Sequence, residues 1–357
     1  MILERCTRCL YPRTKPDLHF SDAGVCSACR AFDKRREIDW ATREGELLRI
    51  LETAPKNGSG YDCIIPSSGG KDSHWQVLKL IELGARPLIV TAATCHLTKI
   101  GRKNIDNLAR YATTIEVTPN RAVRAKLNRA GLELVGDISW PEHISIFTAP
   151  FHVACDLGIS LIFYGECPQE AYGGPPGTEE AREMTQRWVQ EFGGFLGLRP
   201  SDLIGRDGIT EVDMADYVPP SAERVKKAGV TAYFLGQFYE WDSWRNAGVA
   251  RKHGMRWRLP SPSNWWKFEN LDNAQTGIHD YMMFLKYGYG RATAQLSVDI
   301  RNGRMTREKG AKLLRMDEDF PWNYGGVSAK DMLHRLGLSS SDLYAILSRY
   351  QACSRAA

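Results

Sequence analysis

Short apolar segments alternate with helical segments through the middle of the chain, and this alternation is the strongest constraint on its fold. Four segments have the length and composition of buried strands: 61–66, 86–92, 113–117 and 159–164. Helices are predicted at 72–83, 102–111, 121–130 and 144–155. This order of elements is typical of a doubly wound, mostly parallel α/β sheet. We therefore predict one α/β domain over residues 61–235, with a last strand at 231–235 and a loop-rich insertion after about residue 170 that includes a helix at about 178–192.

The segments around this domain differ from it in composition. The chain has 357 residues, which suits about two domains. Residues 1–36 hold two pairs of cysteines, and 37–60 form a predicted helical connector that ends in a Gly-rich break. Residues 236–357 begin with an aromatic-rich segment and continue as a helical C-terminal region, in which Ser328 and the serines from Ser339 start two helices.

The two cysteine pairs predict a metal site. They are Cys6-x2-Cys9 and Cys26-x2-Cys29, with sixteen residues between them. This spacing is typical of structural zinc, and four thiolates close a tetrahedral shell without a catalytic position. A disulfide pair or a redox-active motif is the less favoured interpretation. We therefore predict a zinc ribbon-like module over residues 1–36.

Charge and hydropathy exclude several classes of protein. The net charge of +5 is not concentrated in a basic run, so nucleic-acid binding is not favoured. No apolar stretch approaches the ~18 residues that a membrane span needs. The N-terminal residues carry charges and a cysteine before any apolar segment, so we expect no signal peptide and a cytoplasmic enzyme.

The segment 66–73, Pro-Ser-Ser-Gly-Gly-Lys-Asp-Ser, predicts a phosphate-binding loop. It follows the first strand and opens the first helix, where glycines and a helix N-terminus favour an anion. Lys71 adds a cation, and Asp72 could hold Mg²⁺ bound to the phosphates. The alternative is an ordinary strand–helix turn with a capping side chain. The predicted phosphate ligands are Ser67, Ser68, Gly69, Gly70, Lys71, Asp72 and Ser73.

The hexapeptide from Ser68 to Ser73 resembles the signature of the PP-loop, or N-type, ATP pyrophosphatases. The resemblance implies a PP-loop type of α/β sheet and cleavage of ATP between its α and β phosphates. It also implies that Lys71 and Asp72 act in catalysis.

Further motifs narrow the resemblance to the N-acetyl sugar amidotransferases of bacterial surface-polysaccharide biosynthesis. They are Cys6-Thr7-Arg8-Cys9, Gly24 to Cys29, Ile100 to Asn104, Tyr164-Gly165-Glu166, Tyr172-Gly173-Gly174, Gly288 to Thr293 and Ile300 to Arg304. The resemblance implies that the acetamido group of a nucleotide-linked sugar becomes acetamidino, as in lipopolysaccharide O-antigen synthesis. Ammonia would come from a glutaminase and a channel subunit similar to the components of imidazole glycerol phosphate synthase. Ser67 and Cys167 depart from the family pattern.

Several other residues are candidates for the site. Glu166 follows a strand that should end beside the loop, so it could orient the amine or accept its proton. Arg102 and Asn104 begin the second helix at that edge, and Arg291 and Arg301 suit a diphosphate. The resemblance adds Tyr172 and Gly173 as substrate contacts. The alternative for each arginine is a solvated side chain or an ion pair. Core packing is the favoured role for the tryptophans Trp241, Trp244, Trp257, Trp265 and Trp266.

Two other functions stay open. A PP-loop tRNA-thiolation enzyme would share the loop and the zinc module, but it needs a reactive cysteine, for which Cys155 and Cys167 are available. A zinc-dependent binding module with an inactive loop is the second, and the intact Lys71-Asp72-Ser73 argues against it.

Overall fold

Five parallel strands form the central sheet, in the order β3-β2-β1-β4-β5. The computed structural model describes residues 3–55, 58–165, 183–185, 188–189, 193–258 and 263–351. The strands are β1 Cys63–Pro66, β2 Pro87–Ala92, β3 Thr114–Val117, β4 Leu161–Tyr164 and β5 Thr231–Phe234. The predicted α/β fold with a parallel sheet is confirmed. A small antiparallel pair, β6 Asn323–Tyr324 and β7 Val327–Ser328, lies late in the chain.

Thirteen α-helices occur in the described part of the chain. They are α1 Ser27–Lys34, α2 Trp40–Thr53, α3 Lys71–Glu82, α4 Lys99–Leu108, α5 Arg121–Val135, α6 Trp140–Leu157, α7 Ala222–Ala228, α8 Ser243–Lys252, α9 Thr276–Tyr287, α10 Arg291–Arg301, α11 Arg307–Ala311, α12 Ala329–Arg335 and α13 Ser340–Arg349. Short 3₁₀ turns occupy Arg35–Glu37, Pro200–Leu203, Arg206–Gly208, Ala215–Tyr217, Leu235–Gln237 and Leu314–Asp317. No described helix is long and apolar enough to cross a membrane.

Side-chain caps fix where several of these helices begin. Asp39 accepts hydrogen bonds from the backbone of Ala41 and Thr42 at 3.1 and 3.2 Å, and so starts α2 in the predicted connector. Ser328 caps α12, and Ser339 forms a capping box with Asp342 at the start of α13. The two late helix starts predicted from serines are therefore confirmed.

Apolar side chains cover both faces of the sheet. Ile64, Leu88 and Ile162 point to one face, where they pack with α5 and α6. Cys63 and Ile65 point to the other, where they pack with α2, α3 and α8. This alternation along each strand makes the sheet doubly wound, as predicted.

The insertion after β4 contributes to the first of these cores. Phe195, Leu203, Ile209, Met214 and Tyr217 are buried there, and short 3₁₀ turns connect them. The sequence between 193 and 230 predicted no element, because such turns have no apolar periodicity. The helix predicted at 178–192 lies mostly outside the described residues.

The C-terminal helices form a second core of their own. Apolar residues of α9, α12 and α13 pack together, and Leu132 of α5 and Ile138 join them. This core attaches the C-terminal region to the α/β domain through the segment between α5 and α6.

A buried ion pair holds α5 against α6. The guanidinium of Arg124 donates to Glu142 at 3.1 Å, to Ser145 at 2.7 Å and to the hydroxyl of Tyr217 at 2.8 Å. Asn128 donates to the second oxygen of Glu142 at 2.7 Å. Arg124 and Glu142 are nearly inaccessible to solvent, so each charge depends on the other for its stabilisation.

We predict that Arg124→Leu lowers the free energy of unfolding by about 3–5 kcal/mol, because Glu142 is left buried without its counter-charge. Arg121→Leu, at an exposed position at the start of the same helix, is the control, with an expected change within about 0.5 kcal/mol. Chemical denaturation measures both. Equal stability of the two variants would show that the ion pair is not required.

Candidate active site

A cavity of about 470 Å³ lies at the carboxyl ends of the strands. Its lining includes Pro66 at the end of β1, Ala92 at the end of β2 and Tyr164 at the end of β4. The chain leaves β1 to build β2 and β3 on one side, and returns to build β4 and β5 on the other. Ligands of open α/β folds bind at such a switch point. The cavity is therefore where the predicted loop should act.

The loop 66–73 forms one wall of this cavity. Gly69 has φ +77°, and a Cβ there would lie 2.9 Å from the backbone nitrogen of Ile105, so the position requires glycine. Ser67 accepts a hydrogen bond from the backbone N–H of Gly69 at 3.0 Å. Gly70, which has no side chain to cap with, precedes α3. The first N–H groups of α3 therefore lie beside the cavity, as an anion site requires.

Lys71 is buried between two carboxylates. Its Nζ donates to Asp72 Oδ2 at 2.6 Å and to Glu269 Oε1 at 2.9 Å. Asn246 of α8 donates to the other oxygen of Asp72 at 3.0 Å, and Gln295 of α10 donates to Glu269 Oε2 at 2.7 Å. The lysine ammonium therefore joins the loop to the C-terminal region.

Glu269 lines the cavity and was not predicted from the sequence. Burial would raise the pKa of this carboxyl, but Lys71 and Arg291 hold it below its usual range. Glu269 is therefore ionised at neutral pH. No local pattern marks it, because its partner Lys71 is 198 positions away in the sequence.

His74 directly follows the loop in sequence, and its ring binds the loop backbone. Its Nδ1 lies 2.9 Å from the carbonyl oxygen of Gly70, and its Nε2 lies 3.0 Å from Asn107 Nδ2. The amide nitrogen can only donate, so Nε2 accepts and Nδ1 carries the proton. Burial lowers the pKa of His74, which favours this neutral form. His74 positions the loop and does not line the cavity.

The predicted substrate ligands of α4 have structural partners. Asn104 lines the cavity, but its side chain donates to the backbone oxygen of Arg256 at 3.1 Å and accepts from its N–H at 2.7 Å. Arg102 pairs with Asp106 at 2.7 Å and Glu116 at 2.8 Å, and it does not line the cavity. The position of Arg102 therefore does not support the prediction that this arginine contacts substrate.

The same helix receives the C-terminal segment. A Cβ on Gly101 would lie 2.6 Å from the Cα of Asp272, so glycine permits this close approach. The backbone N–H of Thr98 donates to the backbone oxygen of Asp272 at 2.8 Å. The motif from Ile100 to Asn104 thus brings 269–273 to the cavity.

The two predicted arginines lie in different places. Arg291 lines the cavity and pairs with the buried Asp280 at 3.0 Å. Arg301, at the other end of α10, lies 5.7 Å from the ring centroid of Tyr11, beside the cysteine cluster. The structure therefore brings Arg291 to the cavity but places Arg301 beside the cysteine module, at the opposite end of the same helix.

Three predicted residues, Glu166, Tyr172 and Gly173, lie outside the described residues, although Gly165 lines the cavity. Among the five clustered tryptophans, Trp266 is buried, and none of the five lines the cavity. Trp244, Trp265 and Trp266 each donate an indole N–H to Asp299 at 2.9 Å. Trp257, Trp265 and Trp266 also pack in one apolar cluster with Phe268.

The four predicted cysteine ligands come together closely enough to hold a metal ion. Cys6, Cys9, Cys26 and Cys29 are all buried, and their ligand atoms lie within 4.8 Å of one another. The Sγ–Sγ distances are 3.9 Å for Cys6–Cys29 and 3.6 Å for Cys9–Cys26. Zinc–sulfur bonds of about 2.3 Å in a tetrahedron require about 3.8 Å between sulfurs. The four sulfurs therefore fit a zinc ion.

This module packs against the C-terminal helices. Tyr289 and Ala294 join its core, and Arg307 of α11 donates to the backbone oxygens of Cys6 and Cys9 at 3.1 Å. The four-cysteine segment therefore supports α10, whose first residue is Arg291.

A known family matches the C-terminal part of the chain. It is the C-terminal domain of the WbpG-like LPS biosynthesis proteins, and it covers residues 262–355. No curated protein matches the chain. The matched segment contains Glu269, His279 and Arg291, which line the cavity. The match supports a surface-polysaccharide biosynthesis protein.

We predict that Cys26→Ser removes the zinc and lowers the unfolding temperature, because metal binding and folding of such a module are coupled. The loss of stability should extend to the C-terminal helices, since they share the core of the module. Metal analysis and thermal unfolding measure the two effects. Cys155→Ser, a cysteine of α6 outside the cluster, is the control. Full zinc content in the Cys26 variant, or iron with acid-labile sulfide in the wild type, would contradict the assignment.

Proposed function

We propose that the protein is an ATP-dependent amidotransferase that acts on a nucleotide-linked N-acetyl sugar for surface-glycan biosynthesis. It converts the acetamido group into an acetamidino group and releases AMP and pyrophosphate. The observation that carries the proposal is the phosphate loop with its buried Lys71, which faces a cavity completed by the segment that matches the WbpG-like domain.

The loop suits the phosphates of ATP. The N–H groups at the start of α3 and the ammonium of Lys71 are arranged at the cavity wall before a ligand binds. Preorganised donors of this kind stabilise charge that develops on a leaving group without further rearrangement. They would therefore favour the departure of pyrophosphate.

The carboxylates of Asp72 and Glu269 suit Mg²⁺, which prefers oxygen ligands. Both already bind a cation, because Lys71 lies between them. A bound Mg²⁺ would neutralise charge on the phosphates. In the absence of the ion, these two carboxylates hold Lys71 in position.

The reaction proceeds in two steps. The acetamido oxygen bonds to the α-phosphorus of ATP, and the bond from that phosphorus to pyrophosphate breaks. Ammonia then bonds to the activated imidate carbon, loses a proton, and the carbon–oxygen bond breaks. AMP leaves with the former acetamido oxygen, and the sugar keeps the nitrogen. The cavity must hold the two substrates together, and this positioning would account for much of the rate enhancement.

The ammonia is proposed to come from a separate glutaminase through a channel subunit. This part rests on the resemblance of the sequence to the sugar amidotransferases, which use such partners. The cavity lies at the sheet edge, so a docked channel would end near the activated carbon.

The tRNA-thiolation alternative is weaker. It needs a cysteine at the reaction centre, and none of the described residues that line the cavity is a cysteine. Of the two cysteines predicted for this alternative, Cys155 lies on α6 and is absent from the lining, and Cys167 lies outside the described residues.

The proposal is tested by incubating the protein with ATP, ammonium chloride and a panel of UDP-linked 2-acetamido sugars. We predict AMP and pyrophosphate in equal amounts, together with an acetamidino sugar detected by mass spectrometry. Lys71→Ala should lower the rate by about 100- to 1,000-fold, because it removes a charged donor at the leaving group.

Lys103→Ala is the matched control, since Lys103 is an exposed lysine on the neighbouring helix α4. Release of ADP and phosphate would show that the loop does not direct cleavage at the α–β bond. A similar loss in both lysine variants would show that Lys71 has no specific role.

A further inference from the structure

A second cluster of polar side chains, separate from the phosphate loop, lies at the same cavity. Asp137 lies between α5 and α6, His143 on α6 and His279 on α9. The Nδ1 of His279 lies 2.8 Å from Asp137 Oδ1, and the Nδ1 of His143 lies 3.1 Å from Asp137 Oδ2. Both histidines line the cavity, whereas the carboxylate is 2% exposed.

The hydrogen bond fixes the tautomer of His279. Asp137 Oδ1 also accepts the backbone N–H of Ser139 at 2.8 Å. Because an ionised carboxylate only accepts, Nδ1 of His279 must carry the proton. In the neutral ring, Nε2 then has the free lone pair. Among the described residues, no group forms a hydrogen bond with Nε2 of His279.

The surrounding charges keep Asp137 ionised. Burial would raise the pKa of Asp137, but His279 and His143 hold it well below its usual range. Burial also lowers the pKa of His143, and Asp137 reverses this effect so that the pKa is raised. The other charged or titratable groups near the cluster are Glu142, Arg291, Lys286 and Tyr287. A cation formed on His279 would therefore face a fixed carboxylate.

We propose that His279 is the proton acceptor of the amination step and that Asp137 is its positioning residue. This inference rests on the proposed function, because it names the base for the attack of ammonia in the same cavity. A buried carboxylate that orients an imidazole and stabilises its protonated form is a known catalytic arrangement. Glu166 was predicted for this role, and it lies outside the described residues.

The proton transfer completes the second step. The lone pair of ammonia forms the bond to the imidate carbon, and the nitrogen becomes positively charged. One of its protons moves to Nε2 of His279, and the lone pair that returns to nitrogen expels AMP as the carbon–oxygen bond breaks. The imidazolium then releases the proton to solvent, which restores the neutral imidazole.

A metal site is the alternative for these three side chains, whose ligand atoms lie within 4.8 Å of one another. The hydrogen bond at 2.8 Å directs the nitrogen of His279 at the carboxylate oxygen, and not at a point between the side chains. A bound ion would replace that proton. The geometry therefore favours proton transfer.

The first experiment needs no sugar substrate. Long-range nitrogen–proton correlation spectra of the full chain, with isotopically labelled histidine, report which ring nitrogen is protonated. We expect His279 to be the Nδ1–H tautomer when neutral and to lose this preference in Asp137→Ala, which removes the acceptor oxygen. An Nε2–H tautomer in the wild type would overturn the proposal. So would a second zinc or cobalt equivalent per chain that is lost in His143→Ala.

The second experiment separates the two steps in a rapid-quench assay with the sugar that supports pyrophosphate release. His279→Asn keeps an N–H donor for Asp137 but has no base. It should keep the first burst of pyrophosphate and slow amidine formation by about 100- to 10,000-fold. Added imidazole should partly restore His279→Ala. His152→Ala is the control, because His152 of α6 binds the backbone oxygen of Val218 and does not line the cavity.

Loss of the burst in His279→Asn, or an unchanged rate of amidine formation, would overturn the role of His279. A Glu166→Gln variant with the slow second step, beside a normal His279→Asn, would assign the proton to Glu166. If the wild type releases no pyrophosphate with any acceptor, the proposed function itself fails, and the tautomer spectra still decide whether His279 presents a base.

Discussion

The position of the Lys71 ammonium between Asp72 and Glu269 is the interaction on which the rest of the site depends. A buried lysine is tolerated only with partners, and here one carboxylate belongs to the loop and the other to the C-terminal region. Removing either region would leave a buried charge uncompensated. The sheet edge and the C-terminal helices are therefore not independent modules, and the cavity exists only where they meet.

The cysteine module contributes to the same junction from outside. It is too small to form a core alone, and it shares one with α9 and α10. Zinc would therefore act at a distance, because it stabilises the helix that begins with Arg291 and contributes Gln295 to Glu269. Metal binding at the four cysteines would therefore affect the cavity through α10, although none of these cysteines belongs to the described lining of the cavity.

Local patterns in the sequence predicted the strands, the helices around them, the loop and the cysteine cluster, because each depends on neighbouring residues. The contacts that complete the cavity join distant positions, such as Lys71 with Glu269 and Asp137 with His279, and no periodicity marks them. The position of Arg301 away from the cavity has a related reason. It lies about 15 Å along α10 from Arg291, since a helix rises about 1.5 Å per residue, and a sequence does not reveal which end meets the cavity. Asn104 does line the cavity, but its side chain binds the backbone of Arg256 and so positions the C-terminal segment.

In the proposed reaction, the acetamido oxygen of the sugar is activated by bonding to the α-phosphorus of ATP. The most direct measurement uses a UDP-linked acetamido sugar whose amide oxygen carries the heavy isotope, with ammonium chloride as the nitrogen source. Mass spectrometry of the products follows the label. We predict that the label appears in AMP and is absent from pyrophosphate and from the acetamidino sugar. Unlabelled AMP, or label found in inorganic phosphate, would contradict it.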